Sequence, residues 1–301
     1  MKLFCTLAFI FIYQLPNAFT QPSHIQKIFP AGTVMYQDIK YAGDTVKKHL
    51  LDIYLPARAK NNPLIVWIHG GAWKMNDKYA DMDYMKNTVR GFIDSGFALA
   101  SIEYRYSTQA VFPAQLQDCN QAIEYLYQHA AQYHINGNRI AVIGFSAGGH
   151  LASMVGLSNN NNLKEFYLTT AGIHFKIRAV MDFYGPSDLI MLSSNPDTTI
   201  NNRESPLAIL LGASAIERPD LAKRASPVTY IDKNDPPFFI VQGEKDESVP
   251  NTQSRLLSSW LTIAGVKNKL IIVPNAPHYG EMFDSPAIRQ QLFGFLAEYL
   301  K

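Results

Sequence analysis

The chain has 301 residues, 47% of them hydrophobic, which is enough to bury a large core within one domain. Its 27 Lys and Arg residues nearly balance 25 Asp and Glu residues, and the net charge of +2 favours neither nucleic acid nor an anionic membrane surface as a partner. We therefore expect no nucleic-acid partner, while the oligomeric state stays open.

The first 20 residues have the pattern of a secretory signal peptide. Lys2 precedes an apolar stretch at residues 3–13, and Pro16 and Ala18 follow it. Because a membrane-spanning helix needs about 20 apolar residues, we expect removal of residues 1–20 during export and no membrane span. The mature protein is then secreted or periplasmic. Loss of Cys5 leaves Cys119 as its only cysteine, so we expect no internal disulfide and assign Cys119 to packing.

Strand and helix patterns alternate along most of the chain. Mixed or alternating polarity predicts short edge strands at residues 34–36, 38–41 and 49–55. Continuously apolar runs predict strands buried on both faces at residues 63–69, 97–104, 139–143, 177–184, 237–242 and 269–273. Helices are predicted at residues 83–95, 114–133, 150–157, 255–263 and 285–299.

This order predicts an α/β protein with a mostly parallel central sheet, helices on both faces and an antiparallel N-terminal edge. In such a sheet the functional residues lie at the carboxyl ends of the strands. No Pro- or Gly-rich linker divides the chain, so we expect residues 21–301 to form a single catalytic domain. The irregular stretches near residues 157–176 and 191–228 are interpreted as small cap insertions.

A G-x-S-x-G turn lies between an apolar strand and a helix at residues 144–148. In such a turn the serine adopts strained backbone angles and exposes its hydroxyl, and Gly144 and Gly148 let the strand and helix approach closely. Ser146 is therefore the candidate nucleophile. The pattern alone also occurs in ordinary glycine-rich turns, so a catalytic role requires a histidine, an acid and oxyanion donors elsewhere.

The segment from His69 to Trp73 directly follows a buried strand, where glycines let amide groups turn towards the next strand end. A tetrahedral oxyanion needs such preorganised donors. The candidates are the amides of Gly71 and Ala72, or of Gly70 and Gly71, together with the amide of Ala147 after the nucleophile.

The base and the acid are expected late in the chain, in the order serine, acid, histidine. His278 follows the strand at residues 269–273 and is the candidate base. Asp246 lies in the loop after the preceding strand, where it could hold the imidazole in the correct tautomer. Asp182 and Asp188 are the alternative acids.

The other histidines fit structural roles. We expect His150 to be a packing residue, His69 to hold its own loop by hydrogen bonds, and His129 and His134 to lie on a helix surface; His174 precedes a strand.

Aromatic and methionine side chains follow the candidate oxyanion segment. They fit either core packing or the wall of a substrate pocket, and Trp73 is the candidate substrate-binding residue. The cluster comprises Trp73, Met75, Tyr79, Met82, Tyr84 and Met85. No metal-ligand spacing, phosphate loop or dinucleotide fingerprint is present in the sequence, so we expect chemistry without a metal or cofactor.

These segments together resemble the α/β-hydrolase fold, and within it the esterases related to hormone-sensitive lipase. The resemblance spans residues 48–300 and is strongest to secreted bacterial carboxylesterases that remove acetyl or feruloyl groups from xylan. It implies a serine esterase in which Ser146 is the nucleophile, Asp246 the acid and His278 the base. It rests on the segments HGGAW, FPAQLQD, GFSAGG, DFYGPSDL, ASPVTYID, VQGEKDESVP and NAPHYG.

The resemblance also implies that Gly70, Gly71 and Ala147 surround the oxyanion, and that the substrate is a small-molecule or polysaccharide-linked ester. One departure concerns Ala72, which replaces the third glycine of many members. The resulting H-G-G-x-W form also occurs in kynurenine formamidases and some methylesterases, so an arylformamidase is the main alternative. A serine peptidase and a non-catalytic binding protein are the others. The segment before residue 49 is too short for a large N-terminal cap, which predicts a fairly open site.

Overall fold

Eight strands form one sheet in the computed structural model of the chain, which describes residues 23–161, 163–168, 172–193 and 203–300. The predicted signal peptide lies outside these residues. The strands are β1 (Val34–Lys40), β2 (Leu50–Leu55), β3 (Asn62–Ile68), β4 (Ala98–Ile102), β5 (Ile135–Phe145), β6 (Ile177–Phe183), β7 (Phe238–Gly243) and β8 (Asn268–Val273).

The strands are arranged in the order β1-β2-β4-β3-β5-β6-β7-β8. Strand β2 pairs antiparallel with both β1 and β4, and all remaining pairs are parallel. The predicted mostly parallel sheet with an antiparallel N-terminal edge is confirmed. The carboxyl ends of β3, β5, β6, β7 and β8 therefore meet at one edge of the sheet.

Helices cover both faces of the sheet, as predicted. Side chains of α3, α4 and α8 share one core with Leu64 and Val66, whereas those of α2 and α9 share the other with Ile65 and Trp67. These four residues of β3 are fully buried, so each of them needs an apolar side chain. The helices are α1 (Ser23–Gln26), α2 (Lys86–Asp94), α3 (Ala114–Gln128), α4 (Ala147–Ser158), α5 (Leu189–Ser193), α6 (Pro206–Leu211), α7 (Pro219–Arg224), α8 (Thr252–Ile263) and α9 (Pro286–Tyr299).

Several predicted boundaries differ from the structure. The two short strands at residues 34–36 and 38–41 are one strand, β1, whose register shifts between Tyr36 and Ile39. The predicted helix at residues 114–133 ends at Gln128, because His134 has a φ of 54° and the amide of Ile135 turns back to the carbonyl of Ala130. The placement of His134 on a helix surface was therefore wrong.

The helix that follows the serine turn begins earlier than predicted. It starts at Ala147 rather than at residue 150, so the residue after Ser146 already belongs to the first helical turn. The helix predicted at residues 83–95 spans only Lys86–Asp94, because turns hold the chain up to Met85.

Cys119 lies on α3 and is fully buried. Burial raises the pKa of its thiol well above the ordinary value. The packing role predicted for Cys119 is confirmed. Within the part of the chain that the structure describes, no helix is both long and apolar enough to cross a membrane.

Candidate active site

Ser146 sits at a sharp turn between the end of β5 and the start of α4. Its φ of 53° and ψ of −118° are costly for a residue with a Cβ atom, which confirms the strained geometry predicted for this turn. Two glycines make the turn possible. A Cβ on Gly144 would lie 2.0 Å from the carbonyl oxygen of Gly148, and one on Gly148 would lie 2.1 Å from that of Ile68. The Ser146 amide donates to the carbonyl of Phe183 at 2.9 Å, which fixes the turn against β6.

His278 lies in the loop after β8 and contacts both other predicted residues. Its Nε2 is 2.8 Å from Ser146 Oγ, and its Nδ1 is 2.7 Å from Asp246 Oδ2. A carboxylate can only accept, so Nδ1 carries the proton and Nε2 is free to accept the serine O–H. This is the tautomer in which an imidazole can act as a general base towards Ser146.

The Asp246 carboxylate is buried and held by four donors. Oδ2 accepts from Gln242 Nε2 at 2.8 Å as well as from His278, and Oδ1 accepts the amides of Ser248 at 2.9 Å and Val249 at 2.8 Å. Three of these donors come from β7 and the loop that follows it, and His278 comes from the loop after β8. They leave the carboxylate one orientation, with Oδ2 directed at the imidazole.

The two alternative acids have other partners. Asp182 is fully buried, accepts the hydroxyl of Ser153 at 2.6 Å and the amide of Gly185 at 2.8 Å, and burial raises its pKa to about 6. Asp188 accepts the amides of Ile190 and Met191 at the start of α5. Among the described contacts neither carboxylate binds a histidine, so the structure places only Asp246 beside the candidate base.

His150 is a packing residue, as predicted. Its Nδ1 accepts the indole N–H of Trp73 at 3.2 Å, and its Nε2 donates to the carbonyl of Ala225 at 2.7 Å. Burial lowers the pKa of His150 to about 4, in agreement with a neutral ring that has one donor and one acceptor nitrogen. His69 bonds the Gly70 carbonyl through Nδ1 at 2.7 Å and so holds its own loop, also as predicted.

Two further histidines, His129 and His174, have partners outside the candidate triad. His129 follows the last residue of α3, and its Nδ1 donates to the carbonyl of Tyr125 at 2.9 Å. His174 pairs with Glu124 at 2.7 Å.

The segment after β3 presents amide groups towards Ser146. Gly71 has a φ of 121°, and a Cβ there would lie 2.4 Å from the carbonyl oxygen of Met75, so only glycine fits. Within the described residues, the amides of Gly71 and Ala72 donate to no protein acceptor. Ala147 opens α4, so its amide also has no partner inside the helix.

The amide of Gly70 is occupied, in contrast to those of Gly71 and Ala72. It donates to Asp81 Oδ2 at 2.8 Å. Of the two donor pairs considered from the sequence, Gly71 with Ala72 is therefore the pair whose amides are both available, and Gly70 does not donate to the site.

The aromatic and methionine cluster divides between core and pocket. Met82 and Met85 are fully buried behind the site. Trp73, Met75 and Tyr84 line the pocket, although only 5% of Trp73 is exposed and its ring packs edge-on against His150 at 5.3 Å. Trp73 thus forms part of the pocket wall, and its indole N–H is already used.

A cavity of about 740 Å³ opens above Ser146. The predicted cap insertion near residues 191–228 contributes Leu192, Pro206 and Leu207 to its wall. The sequence patterns did not mark these three residues, or Asp81, Tyr184 and Tyr279, as lining residues. Tyr184 follows β6 directly, so the strand-end rule could have pointed to it, whereas no pattern marks Asp81. The lining includes Gly71, Ala72, Trp73, Asp81, Tyr84, Ser146, Ala147, Tyr184, Leu192, Pro206, Leu207, Glu247, His278 and Tyr279.

No set of three or more His, Cys, Asp or Glu side chains suited to a metal ion occurs in the described part of the chain. The groups gathered at the cavity are instead a hydroxyl, an imidazole, a carboxylate and three unpaired amides. Chemically, this set can activate an oxygen nucleophile and hold a negative oxygen next to it.

The BD-FAE family model matches residues 51–261, from β2 into α8, which include Ser146 and Asp246. This chain belongs to the BD-FAE family. Membership in BD-FAE confirms the resemblance to α/β-hydrolase esterases that the motifs indicate.

Relatives of this BD-FAE chain carry esterase names. Esterase LipQ of Mycobacterium tuberculosis is 30% identical over 245 residues, which cover 80% of this chain and 56% of LipQ. The chain spans about half the length of the curated relatives it matches.

Solved structures of esterases share the fold. A truncated carbohydrate esterase from gut microbiota is 30% identical with a TM-score of 0.76, covering 90% of this chain and 98% of that one. A bifunctional GH43-CE protein of Bacteroides eggerthii is 33% identical with a TM-score of 0.77, covering 88% of this chain and 38% of that one. The α/β-hydrolase fold is thereby confirmed. Neither these two proteins nor LipQ is named a formamidase or a peptidase, so they do not favour those alternatives.

Proposed function

We propose that this chain is a carboxylic ester hydrolase in which Ser146 is the nucleophile, His278 the base and Asp246 the orienting acid. The observation that carries the proposal is the continuous chain from Ser146 Oγ to His278 at 2.8 Å and from His278 to Asp246 at 2.7 Å, beside three available amides. The names of LipQ and of the carbohydrate esterase support the same reaction class.

The reaction is an acyl transfer in two steps. His278 Nε2 removes the Ser146 proton as Oγ attacks the ester carbonyl, and the imidazolium that forms is stabilised by Asp246. The same proton passes to the departing alcohol, which leaves an acyl group on Ser146. Water then repeats the sequence, with His278 again acting first as base and then as acid, and releases the carboxylic acid.

The amides of Gly71, Ala72 and Ala147 are proposed to bind the oxyanion in both steps. Loss of one oxyanion donor typically lowers kcat by about 10²–10³-fold, so three fixed amides provide a large share of the rate enhancement. Their fixed orientation matters because the donors need not reorganise as charge develops on the carbonyl oxygen.

The substrate class is proposed to be a short-chain or aromatic acyl ester carried by a carbohydrate, such as acetylated or feruloylated xylan. Two similar structures bear carbohydrate-esterase titles, and the cavity of about 740 Å³ has room for a sugar as well as a small acyl group. Tyr279, 65% exposed at the cavity, offers a ring face against which a sugar could pack.

A direct comparison of substrates tests this assignment. Release of acetate from acetylated xylan should proceed with a higher kcat/KM than hydrolysis of ethyl acetate, because both leaving groups are unactivated alcohols and only the polysaccharide extends through the cavity beyond the ester. Ferulate release from feruloylated arabinoxylan distinguishes an aromatic acyl preference from an acetyl preference. Hydrolysis of simple esters without activity on either polysaccharide would leave the esterase proposal in place and reject the carbohydrate part.

Export is a further part of the proposal and rests on the pattern in residues 1–20. N-terminal sequencing of protein recovered from the periplasm or the culture medium should show a chain that begins near residue 21. Recovery of a chain that retains Met1 would contradict it.

The proposed nucleophile is tested by Ser146→Ala, with Ser259→Ala as the matched control. Ser259 is exposed on α8, and its hydroxyl donates to the carbonyl of Arg255 at 2.8 Å. We expect Ser146→Ala to lower kcat for p-nitrophenyl acetate by about 10⁴-fold or more and Ser259→Ala to leave it unchanged. Full turnover in Ser146→Ala would reject the proposed function.

A further inference from the structure

We propose that Asp81 is a positioning residue that holds the oxyanion donors in place and links them to the base. This inference rests on the proposed function of Ser146 and His278. The segment concerned is residues 69–85, here called the oxyanion loop, which leaves β3 and returns to the start of α2.

The oxyanion loop is held in a conformation that the chain would not adopt unaided. Ala72, Trp73, Asn76 and Asp81 have positive φ values of 50°, 57°, 73° and 71°. Residues with a Cβ atom rarely occupy this region, and such conformations persist only where surrounding contacts impose them. The direction of the Gly71 and Ala72 amides therefore depends on the contacts that anchor the loop.

The Asp81 carboxylate anchors the start of this loop. Its Oδ2 accepts the amide of Gly70 at 2.8 Å, and its Oδ1 accepts the hydroxyl of Tyr84 at 2.5 Å. On its other side Gly70 lies against the strand end that leads into the Ser146 turn, since a Cβ on Gly70 would lie 2.9 Å from the carbonyl oxygen of Phe145. Gly70 is thus held between Asp81, which binds its amide, and the end of β5, which lies against its Cα. Its fixed position sets the direction of the next two amides along the chain.

The same carboxylate connects to the base through two tyrosines. The Tyr84 hydroxyl lies 2.8 Å from the Tyr184 hydroxyl, and the Tyr184 ring packs edge-on against the His278 ring with centroids 5.0 Å apart. Tyr184 is itself fixed, with a φ of 47° and its amide bonded to Val241 at 2.8 Å. The oxyanion loop and the His278 imidazole are therefore connected through Asp81, Tyr84 and Tyr184. The links from Gly70 to Tyr184 are hydrogen bonds, and the last link, from Tyr184 to His278, is ring packing.

The negative charge of Asp81 could act in the opposite direction on the reaction rate. A carboxylate close to the site would repel a negative oxygen, so removal of the charge alone should accelerate the reaction. Burial raises the pKa of Asp81, while the Gly70 amide and the Tyr84 hydroxyl oppose that change by binding the charged form. If the carboxylate serves to hold the loop, the loss of alignment outweighs the relief of repulsion.

The test is Asp81→Asn, with Asp83→Asn as the matched control. Asp83 lies two residues further along the same loop, is exposed, and pairs with the exposed His24 at 3.4 Å. Asn keeps one acceptor oxygen for the Gly70 amide, but its amide nitrogen can only donate, so the Tyr84 hydroxyl must reverse and accept from it. Both bonds then lose the carboxylate charge that strengthens them. For p-nitrophenyl acetate we expect kcat to fall by about tenfold or more in Asp81→Asn, with KM within about twofold. Asp83→Asn should match the wild type.

A second readout reports on the oxyanion itself. Each protein is assayed on p-nitrophenyl acetate and on its thionoester, in which sulfur replaces the carbonyl oxygen and accepts hydrogen bonds poorly. Well-aligned amides favour the oxygen ester, so the ratio of the two kcat/KM values should fall in Asp81→Asn and stay at the wild-type value in Asp83→Asn. A general loss of folded protein would lower both rates equally and leave the ratio unchanged.

Tyr84→Phe provides a variant that keeps the Gly70–Asp81 bond if Asp81→Asn does not fold. It removes the link to Tyr184, so we expect a smaller fall in kcat and in the ester-to-thionoester ratio. Unchanged or increased kcat in the folded variants, or reduced kcat with an unchanged ratio, would overturn the role of Asp81. A wild type that does not hydrolyse p-nitrophenyl acetate, or a Ser146→Ala variant that does, would instead reject the proposed function and the inference with it.

Discussion

Asp182 is a fully buried acid in β6 whose replacement should stabilise the protein at neutral pH. Burial raises its pKa from 3.8 to about 6, despite hydrogen bonds from Ser153 at 2.6 Å and Gly185 at 2.8 Å. The folded chain therefore binds this proton more tightly than the unfolded chain does. The stability that Asp182 contributes is fully present below about pH 4 and is lost as the pH rises through about 6.

The size of this loss follows from the two pKa values. A pKa of 3.8 in the unfolded chain and of about 6 in the folded chain means roughly 150-fold tighter proton binding, and each tenfold corresponds to roughly 1.4 kcal/mol. Ionised Asp182 therefore lowers the free energy of unfolding at pH 7.5 by about 3 kcal/mol relative to pH 4.

Asp182→Asn removes the ionisation but keeps the shape of the side chain. The amide oxygen can accept from Gly185, and the amide nitrogen can donate to the Ser153 hydroxyl. Urea unfolding of both proteins between pH 4 and pH 7.5 gives their difference in free energy of unfolding. We expect that difference to shift by about 3 kcal/mol in favour of Asp182→Asn across this range. A difference that is independent of pH, or that shifts in favour of the wild type, would rule out a raised pKa for Asp182 in the folded protein.

Three further predictions follow from other buried contacts. Asp246→Asn should lower kcat for p-nitrophenyl acetate by about 10⁴-fold, because the His278 tautomer is no longer fixed. In the same assay the kcat of Asp182→Asn should stay within about threefold of the wild-type value. Gly144→Ala should abolish soluble, folded protein, because the added Cβ would lie 2.0 Å from a backbone oxygen. Gly294 is the control: a Cβ there meets nothing within 4 Å, so Gly294→Ala should raise the free energy of unfolding by about 0.5–1 kcal/mol in urea titrations. Cys119 should not react with a thiol reagent at pH 8 until urea unfolds the chain, since it is fully buried and burial raises its thiol pKa; rapid labelling of the native protein would contradict this.

The positions of Ser146, Asp246 and His278 could be predicted because each follows a recognisable apolar strand. Parallel strands bring their carboxyl ends to one edge, so order along the chain translates into proximity in space. The choice of Asp246 over Asp182 was also possible from the sequence, since Asp246 lies in a loop one strand before the histidine.

Contacts within loops could not be predicted in the same way. The engagement of the Gly70 amide by Asp81 depends on positive φ angles at several residues of the oxyanion loop, and no periodic pattern encodes them. The ends of α2 and α3 were misplaced for a related reason. Hydrophobic periodicity continues past residue 128, but the turn at His134 closes the chain back on Ala130 before the helix can extend.

The proposed function requires Ser146 to carry the acyl group during turnover. Rapid acid quenching of the reaction with p-nitrophenyl acetate, followed by peptide mapping by mass spectrometry, tests it directly. We expect one acetyl group on the peptide that contains Ser146, and we expect both this group and turnover to be lost in Ser146→Ala. Undiminished turnover with no acetyl group on Ser146 would contradict it.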